Sequence, residues 1–285
     1  MKYIAMTVLI FAVLLYIVDN YAVGTKIFRI KDKKIPQSFD GYKILHLSDL
    51  HNSNYGTNNA LLTKKIHKLN PDLVCYTGDM VDKSSANSSN FFNLARALSE
   101  KYPAYYIAGN HEDRLREMDK SKLFTEIESL GIHILTNEKI SLKRNDGEVN
   151  LYGLNLEGKY YRGTYDKLTK ELQLKKENIE AILGVKDPGY TIMLSHNPLY
   201  FEAYSDYGID LTFSGHVHGG LIRLPIIGGL LSPDRIFNPK YDRGLFEKNG
   251  SKIITSPGLG GTKLRFFNRP MIYLVILQAE HALKS

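Results

Sequence analysis

Residues 43–52 read KILHLSDLHN, an apolar run that breaks into Asp49 and His51. The apolar part, 43–48, reads as a strand, so the two residues able to do chemistry fall where the strand ends. The same pattern returns four times. DLVCYT (72–77) runs into TGDMVD, with Asp79 and Asp82, and AYYIAG (104–109) runs into Asn110 and His111. TIMLSH (191–196) ends in His196, and IDLTFS (209–214) runs into SGHVHGG, with His216 and His218 one residue apart. Amphipathic helix patterns lie between the early strands at 58–70, 89–102 and 122–131. Strand–helix alternation of this kind predicts an α/β fold with a parallel component. Ligand sites in such sheets form at the carboxyl ends of the strands, so the five loops are expected along one edge.

Further strand-like runs at 149–156, 252–258 and 271–277 follow with fewer long helices, which predicts a mixed sheet in the second half. No proline- or glycine-rich linker divides the chain after residue 40, and one catalytic domain over 41–285 is expected. Hydrophobic content of 43% and charged content of 24% suit a folded protein. The net charge of +7 favours anionic partners: phosphorylated molecules, anionic lipid or nucleic acid. The lone cysteine, Cys75, lies inside an apolar run, which excludes an intramolecular disulfide and points to packing.

The first 25 residues stand apart. Tyr3 to Val18 carries no charge, and Asp19 is the only one from there to Thr25. Such a segment can cross a hydrocarbon core of ~30 Å at ~1.5 Å per residue. A cleaved signal peptide and a buried core helix compete with this reading. The n-region holds only Lys2 and the amino terminus, and no clear small-x-small site follows. The expectation is an uncleaved single-pass anchor over 1–25 and a basic juxtamembrane linker over 26–40. Lys26, Arg29, Lys31, Lys33 and Lys34 would favour a cytoplasmic domain by the positive-inside rule, while the short amino-terminal tail leaves the side open.

Each loop alone is ordinary: an isolated HxH is commonly a polar turn, and Asp-x-His arises by chance. Collected, they offer carboxylates at Asp49 and Asp79, an amide oxygen at Asn110, and imidazoles at His51, His196, His216 and His218. Mixed nitrogen and oxygen donors suit zinc, manganese or iron, and the lack of thiolate argues against a structural zinc site. Seven donors exceed one tetrahedral site but suit two ions sharing a carboxylate, an arrangement that can acidify a water while clamping a phosphoryl oxygen. His46, His67, His133 and His281 have no such context and read as packing or surface residues.

The ordered set DLH (49–51), GDMVD (78–82), GNHE (109–112), SH (195–196) and GHVH (215–218) resembles the five blocks of the calcineurin-like metallophosphoesterases. The resemblance spans about residues 41–278 and implies a four-layer α/β/β/α sandwich. It implies Asp49, His51, Asp79 and His218 on a first metal, and Asn110, His196 and His216 on a second bridged by Asp79. It also implies that His111 faces the leaving oxygen as general acid or transition-state stabiliser, with Asp82 orienting it. The anchor, the basic linker, TSPGLGG (255–261) and KLRFFNRP (263–270) resemble a subgroup of membrane-associated phosphodiesterases and UDP-2,3-diacylglucosamine pyrophosphatase-like proteins. Members often carry Gln after the GHxHGG block, where this chain has Leu221.

The leading expectation is a membrane-anchored, two-metal phosphoesterase acting on a phosphodiester or pyrophosphate. A nuclease and a non-enzymatic lipid- or partner-binding scaffold are the alternatives. The complete set of donors weighs against the scaffold, and the lack of interleaved basic and aromatic residues weighs against nucleic acid. GGLIRLPIIGGLL (219–231) reads as a buried hairpin, or else as an apolar lip beside the metals that meets acyl chains. Arg223, Lys263, Arg265 and Arg269 are candidate contacts for a phosphate or anionic head group.

Overall fold

The computed structural model describes residues 1–82, 88–161, 174–220, 222–224, 226–232, 237–261 and 265–280. Helix α1 (Lys2–Tyr21) opens the chain and is the one helix among the described residues long and apolar enough to cross a membrane. Its apolar side chains are exposed along most of its length. Strand β1 (Gly24–Asp32) follows almost at once, so residues 26–40, expected as a linker, begin inside the folded domain. Phe28 and Ile30 point to the core while Arg29 and Lys31 point out. This is the period of a strand, and the run of cations concealed it.

The first half continues as β2 (Lys43–Leu47), α2 (Ala60–Leu69), β3 (Leu73–Thr77), α3 (Ser89–Ser99), β4 (Ala104–Ile107), α4 (Glu117–Ser129) and β5 (His133–Ile134). The second half runs β6 (Glu138–Arg144), β7 (Gly147–Gly153), α5 (Lys176–Leu183), β8 (Thr191–Leu194), α6 (Phe201–Tyr207) and β9 (Leu211–Ser214). Then come β10 (Ile222–Leu224), β11 (Gly228–Leu231), β12 (Gly244–Lys248), β13 (Ser251–Thr255) and β14 (Met271–Ala279). One six-stranded sheet has the order β1-β14-β2-β3-β4-β5 and the other β12-β13-β9-β8-β7-β6. Both are mixed: β2, β3 and β4 run parallel, as do β7, β8 and β9, while β14 meets β2 antiparallel.

Alternate residues of one strand serve two different cores. Ile44, Leu73, Cys75 and Val275 pack between the sheets against Leu151, Ile192, Leu211 and Phe213. Leu45, Val74 and Tyr76 point the other way, onto Leu62 and Ile66 of α2, Phe91 and Leu98 of α3, and Ile127 of α4. On the far side, Tyr152, Met193 and Ile253 pack under Ile179 of α5 and Tyr204 of α6. Strands covered on both faces lose the polar alternation, which is why they stand out as continuous apolar runs. The result is four layers, α/β/β/α.

His46 lies between the sheets, stacked on Phe213 at 5.1 Å, with Nε2 2.8 Å from Thr77 Oγ1. His67 reaches Tyr102 Oη at 3.0 Å and His133 reaches Glu138 at 3.0 Å, so these three are packing and surface residues. His281 lies outside the described residues. The buried-hairpin reading of 219–231 is corrected. Strands β10 and β11 form a two-stranded sheet of their own, joined among the described residues by a bridge from Leu231 to Phe237, and it is the tip that is not buried. Ile226 is fully exposed, in the left-handed region at φ 72°, and Ile227 beside it is exposed too.

Candidate metal centre

The strand-end loops converge, and they do so through an unusual backbone. Asp49, His51, Asp79, His216 and His218 all have positive φ, between 46° and 68°. Each such L-residue costs about 1–2 kcal/mol over a right-handed one. Strain of this kind persists only where surrounding contacts over-determine it. Here Asp49 N–H donates to Gly78 O at 3.0 Å, and His51 N–H to Asp79 O at 3.2 Å. His216 N–H donates to the Asp49 carboxylate at 3.1 Å, and His111 N–H to Asp79 Oδ1 at 2.7 Å. Two glycines permit the close approach: a Cβ at Gly109 would strike the Asp79 carboxylate, and one at Gly215 would strike Ser48 and Asp49.

Two buried triads emerge, Asp49 with His51 and His218, and Asp79 with His196 and His216, the donor atoms of each within 4.8 Å of one another. A third group at the same spacing, His51 with Asp82 and His111, is less buried and shares His51 with the first. Asp79 Oδ2 lies between the groups, 3.7 Å from His51 Nε2 and 3.3 Å from His196 Nε2. Asp49 Oδ1 is 3.6 Å from His218 Nε2 and 3.8 Å from His51 Nε2. His196 donates Nδ1–H to Thr77 O at 2.6 Å, which fixes its tautomer and leaves the Nε2 lone pair facing the carboxylates. His51 is turned likewise, its Nδ1 3.1 Å from Asp82 Oδ1.

The electrostatics call for positive charge. Asp49 and Asp79 are buried, which raises a carboxyl pKa, yet the surrounding imidazoles hold both below the usual carboxylate range. Burial works against charge on His51 and His196, but neighbouring carboxylates raise them to about 10 and about 9. Burial dominates at His218, which is pushed down to about 3, and it also lowers His111. Two buried carboxylates ringed by imidazoles need cations, and divalent ions supply them without protonating the rings. The fit is supported atom by atom. His51 Nε2, His196 Nε2 and Asn110 Oδ1 are buried and make no hydrogen bond, although each could donate a lone pair.

Three supporting residues carried no assignment in the sequence reading. Glu112, fully buried, accepts the backbone N–H groups of Asp79, Met80 and Gly109 at 2.8 Å each, that of Val81 at 3.2 Å, and Tyr106 Oη–H at 2.9 Å. It ties the Asp79 turn to the Asn110 loop. Its only signal was its place directly after His111 in the GNHE block. Asn268 donates Nδ2–H to His218 O at 2.5 Å and accepts from Arg243 Nη1 at 3.3 Å. Tyr161 lies edge-on to His216, with ring centroids 5.1 Å apart. Nothing local in the sequence marks either of these two.

Asp82 makes its hydrogen bond to His51, while His111 Nδ1 stands at 3.6 Å from the same Oδ1, so the orienting contact expected for His111 is shared between two rings. Of the candidate anion contacts, Arg223 pairs with Asp242 and donates to Gly219 O. Arg265 is 3% exposed and donates to the carbonyls of Pro257, Gly260 and Asn268. With its guanidinium buried in this way it braces a loop. Arg269 donates to Ala22 O at 3.1 Å, beyond the end of α1. Lys263 and Leu221 lie outside the described residues.

The profile of the Calcineurin-like phosphoesterase family matches residues 42–220, which include every residue of the two triads. A Bacillus subtilis metallophosphoesterase, YkuE, is 29% identical over 92% of this chain and 88% of its own length. The phosphodiesterase YaeI of Escherichia coli is 29% identical over 83% of this chain and 82% of its own. The UDP-2,3-diacylglucosamine pyrophosphatase LpxG of Chlamydia muridarum is 28% identical over 86% and 87%. The chain belongs to the calcineurin-like phosphoesterases and is a metal-dependent phosphoric-ester hydrolase.

Proposed function

We propose that the chain is a membrane-anchored hydrolase of an amphiphilic phosphodiester or pyrophosphate, working with two divalent ions. Asp49, His51 and His218 would hold one ion and Asn110, His196 and His216 the other, with Asp79, whose Oδ2 faces both His51 and His196, available to both. When bound, the ions supply charge stabilisation at the phosphoryl oxygens and lower the pKa of the attacking water. The protein's own share is positioning and proton transfer. His111 has the more exposed ring, with 22% of its side chain open against 3% at His51, which puts it at the lip of the cluster. It gives a proton from Nε2 to the departing oxygen, and Asp82, facing its Nδ1, favours the charged ring.

The observation that carries the choice of substrate is the tip of the β10–β11 hairpin. Ile226 and Ile227 stand out into solvent on a strand pair that continues from the His218 loop, and Ile226 holds a backbone conformation that a β-branched residue rarely adopts. An exposed, strained apolar tip on the hairpin that follows the His218 loop suits acyl chains, each buried CH₂ of which contributes ~0.8 kcal/mol. Helix α1 supports the membrane side of the reading, and the similarity to a UDP-2,3-diacylglucosamine pyrophosphatase supports an acylated substrate.

The test compares Ile226→Asp/Ile227→Asp with wild type on an acylated nucleotide-sugar pyrophosphate, a phospholipid and bis-p-nitrophenyl phosphate. The expected result is a raised KM for an acylated compound with the soluble diester unchanged. Equal treatment of all three by a folded double mutant contradicts the lip. Single-stranded DNA serves as the control for a nuclease.

A further inference from the structure

Where α1 enters the domain, its last turn is fastened to one short segment. Asn20 accepts Arg265 N–H at 2.9 Å through Oδ1 and donates Nδ2–H to Arg265 O at 3.2 Å. Asp19, the single acid of the helix and 96% buried by its surroundings (4% exposed), accepts the backbone N–H of Phe267. Two cations close over the exit: Lys65 donates to Val23 O and Arg269 to Ala22 O. The end of the helix and the segment 265–269 therefore lie at one level.

The side chains on that segment are the unexpected part. Phe266 is 49% exposed and Phe267 44%, and Phe267 sits in the left-handed region at φ 53°. A strained backbone and a buried carboxylate are used to hold two aromatic rings outward. Folding alone favours the opposite, burial of the rings. Aromatic rings flanked by Lys and Arg at the end of an apolar helix match the water–lipid boundary, where rings enter the acyl region and cations meet anionic phosphates.

We propose that this segment is a bilayer seat: Phe266 and Phe267 enter the interface of an anionic membrane, with Lys65 and Arg269 at head-group level. It rests on the anchor reading of α1. The seat gives the domain a fixed attitude on the membrane. Asn268, within the same segment, holds the His218 carbonyl, so the metal loop stands one residue from the lipid.

The chain has no tryptophan, so a single introduced one reports alone. Full-length Phe267→Trp, Phe266→Trp, Leu14→Trp on the helix and Val185→Trp, an exposed position on the α5–β8 connection, are each reconstituted into vesicles of phosphatidylcholine and phosphatidylglycerol with brominated acyl chains. A seat ~5–10 Å below the head groups predicts that Phe267→Trp or Phe266→Trp loses about half its emission to shallow bromine and less to deep bromine. Leu14→Trp is quenched most by deep bromine and Val185→Trp by neither. If Leu14→Trp is quenched while both aromatic positions behave as Val185→Trp does, the seat is overturned and the anchor stands. A blue-shifted but unquenched tryptophan at 266 and 267 means protein covers the patch, which also overturns the seat. No quenching at Leu14→Trp overturns the anchor, and the seat with it.

Discussion

The carboxylate of Glu112 accepts the backbone N–H of Asp79 at 2.8 Å, so the proposed bridging residue hangs from a second, fully buried acid. Five donors converge on the two oxygens of Glu112. Gln in its place keeps one acceptor and turns an NH₂ group towards N–H donors. Glu112→Gln is expected to lower stability by about 3–5 kcal/mol, the usual consequence of breaking a buried charged network. Denaturant unfolding of chelator-treated protein measures this without metal binding entering. A change below about 1 kcal/mol, the net worth of one ordinary hydrogen bond, contradicts the hub.

Asp79→Asn is expected to lose metal and turnover together, because its Oδ2 faces both His51 and His196. Elemental analysis and hydrolysis of a soluble diester are read on the same sample. Retention of both ions with near-normal turnover removes the bridging role.

His111→Gln is expected to slow turnover ~10²–10⁴-fold, the usual contribution of a positioned acid, while leaving the metal content intact. The loss shrinks for substrates with good leaving groups, which need little protonation. Equal losses across a leaving-group series exclude the acid role and leave electrostatic stabilisation.

Asn268→Ala removes the donor from the His218 carbonyl while leaving every proposed ligand side chain in place. Supporting residues of this kind are commonly worth ~10–100-fold in metal affinity. Calorimetric titration with Mn²⁺ is expected to show a loss in that range at one site and little change at the other. An unchanged isotherm shows that the Gly219–Gly220 turn holds His218 unaided.

The core strands were legible because burial on both faces leaves runs such as DLVCYT with almost no polar residue. The strand-end residues were legible for a related reason: a carboxylate or imidazole directly after such a run has no packing purpose. β1 was not, since its outward cations looked like a linker. The paired hairpin β6–β7 was half visible, because β6 lies at a sheet edge and keeps charged residues along it. Asn268 and Tyr161 support the centre from 50 and 55 residues away from the ligands they touch, and only the fold brings such pairs together. For Arg223 and Arg265 the sequence shows the charge but not its partners. Their charge suggested an anion contact, but Asp242 and three carbonyls already occupy them.

The central claim is a two-ion centre in which neither ion alone suffices. Its most direct test is the titration of chelator-treated, full-length protein with Mn²⁺ while hydrolysis of bis-p-nitrophenyl phosphate is followed. Turnover is expected to stay low through the first equivalent and rise through the second, because Asp49, His51 and His218 form one triad and Asp79, His196 and His216 another. Full turnover at one equivalent, or turnover undiminished in chelator, contradicts the two-ion account.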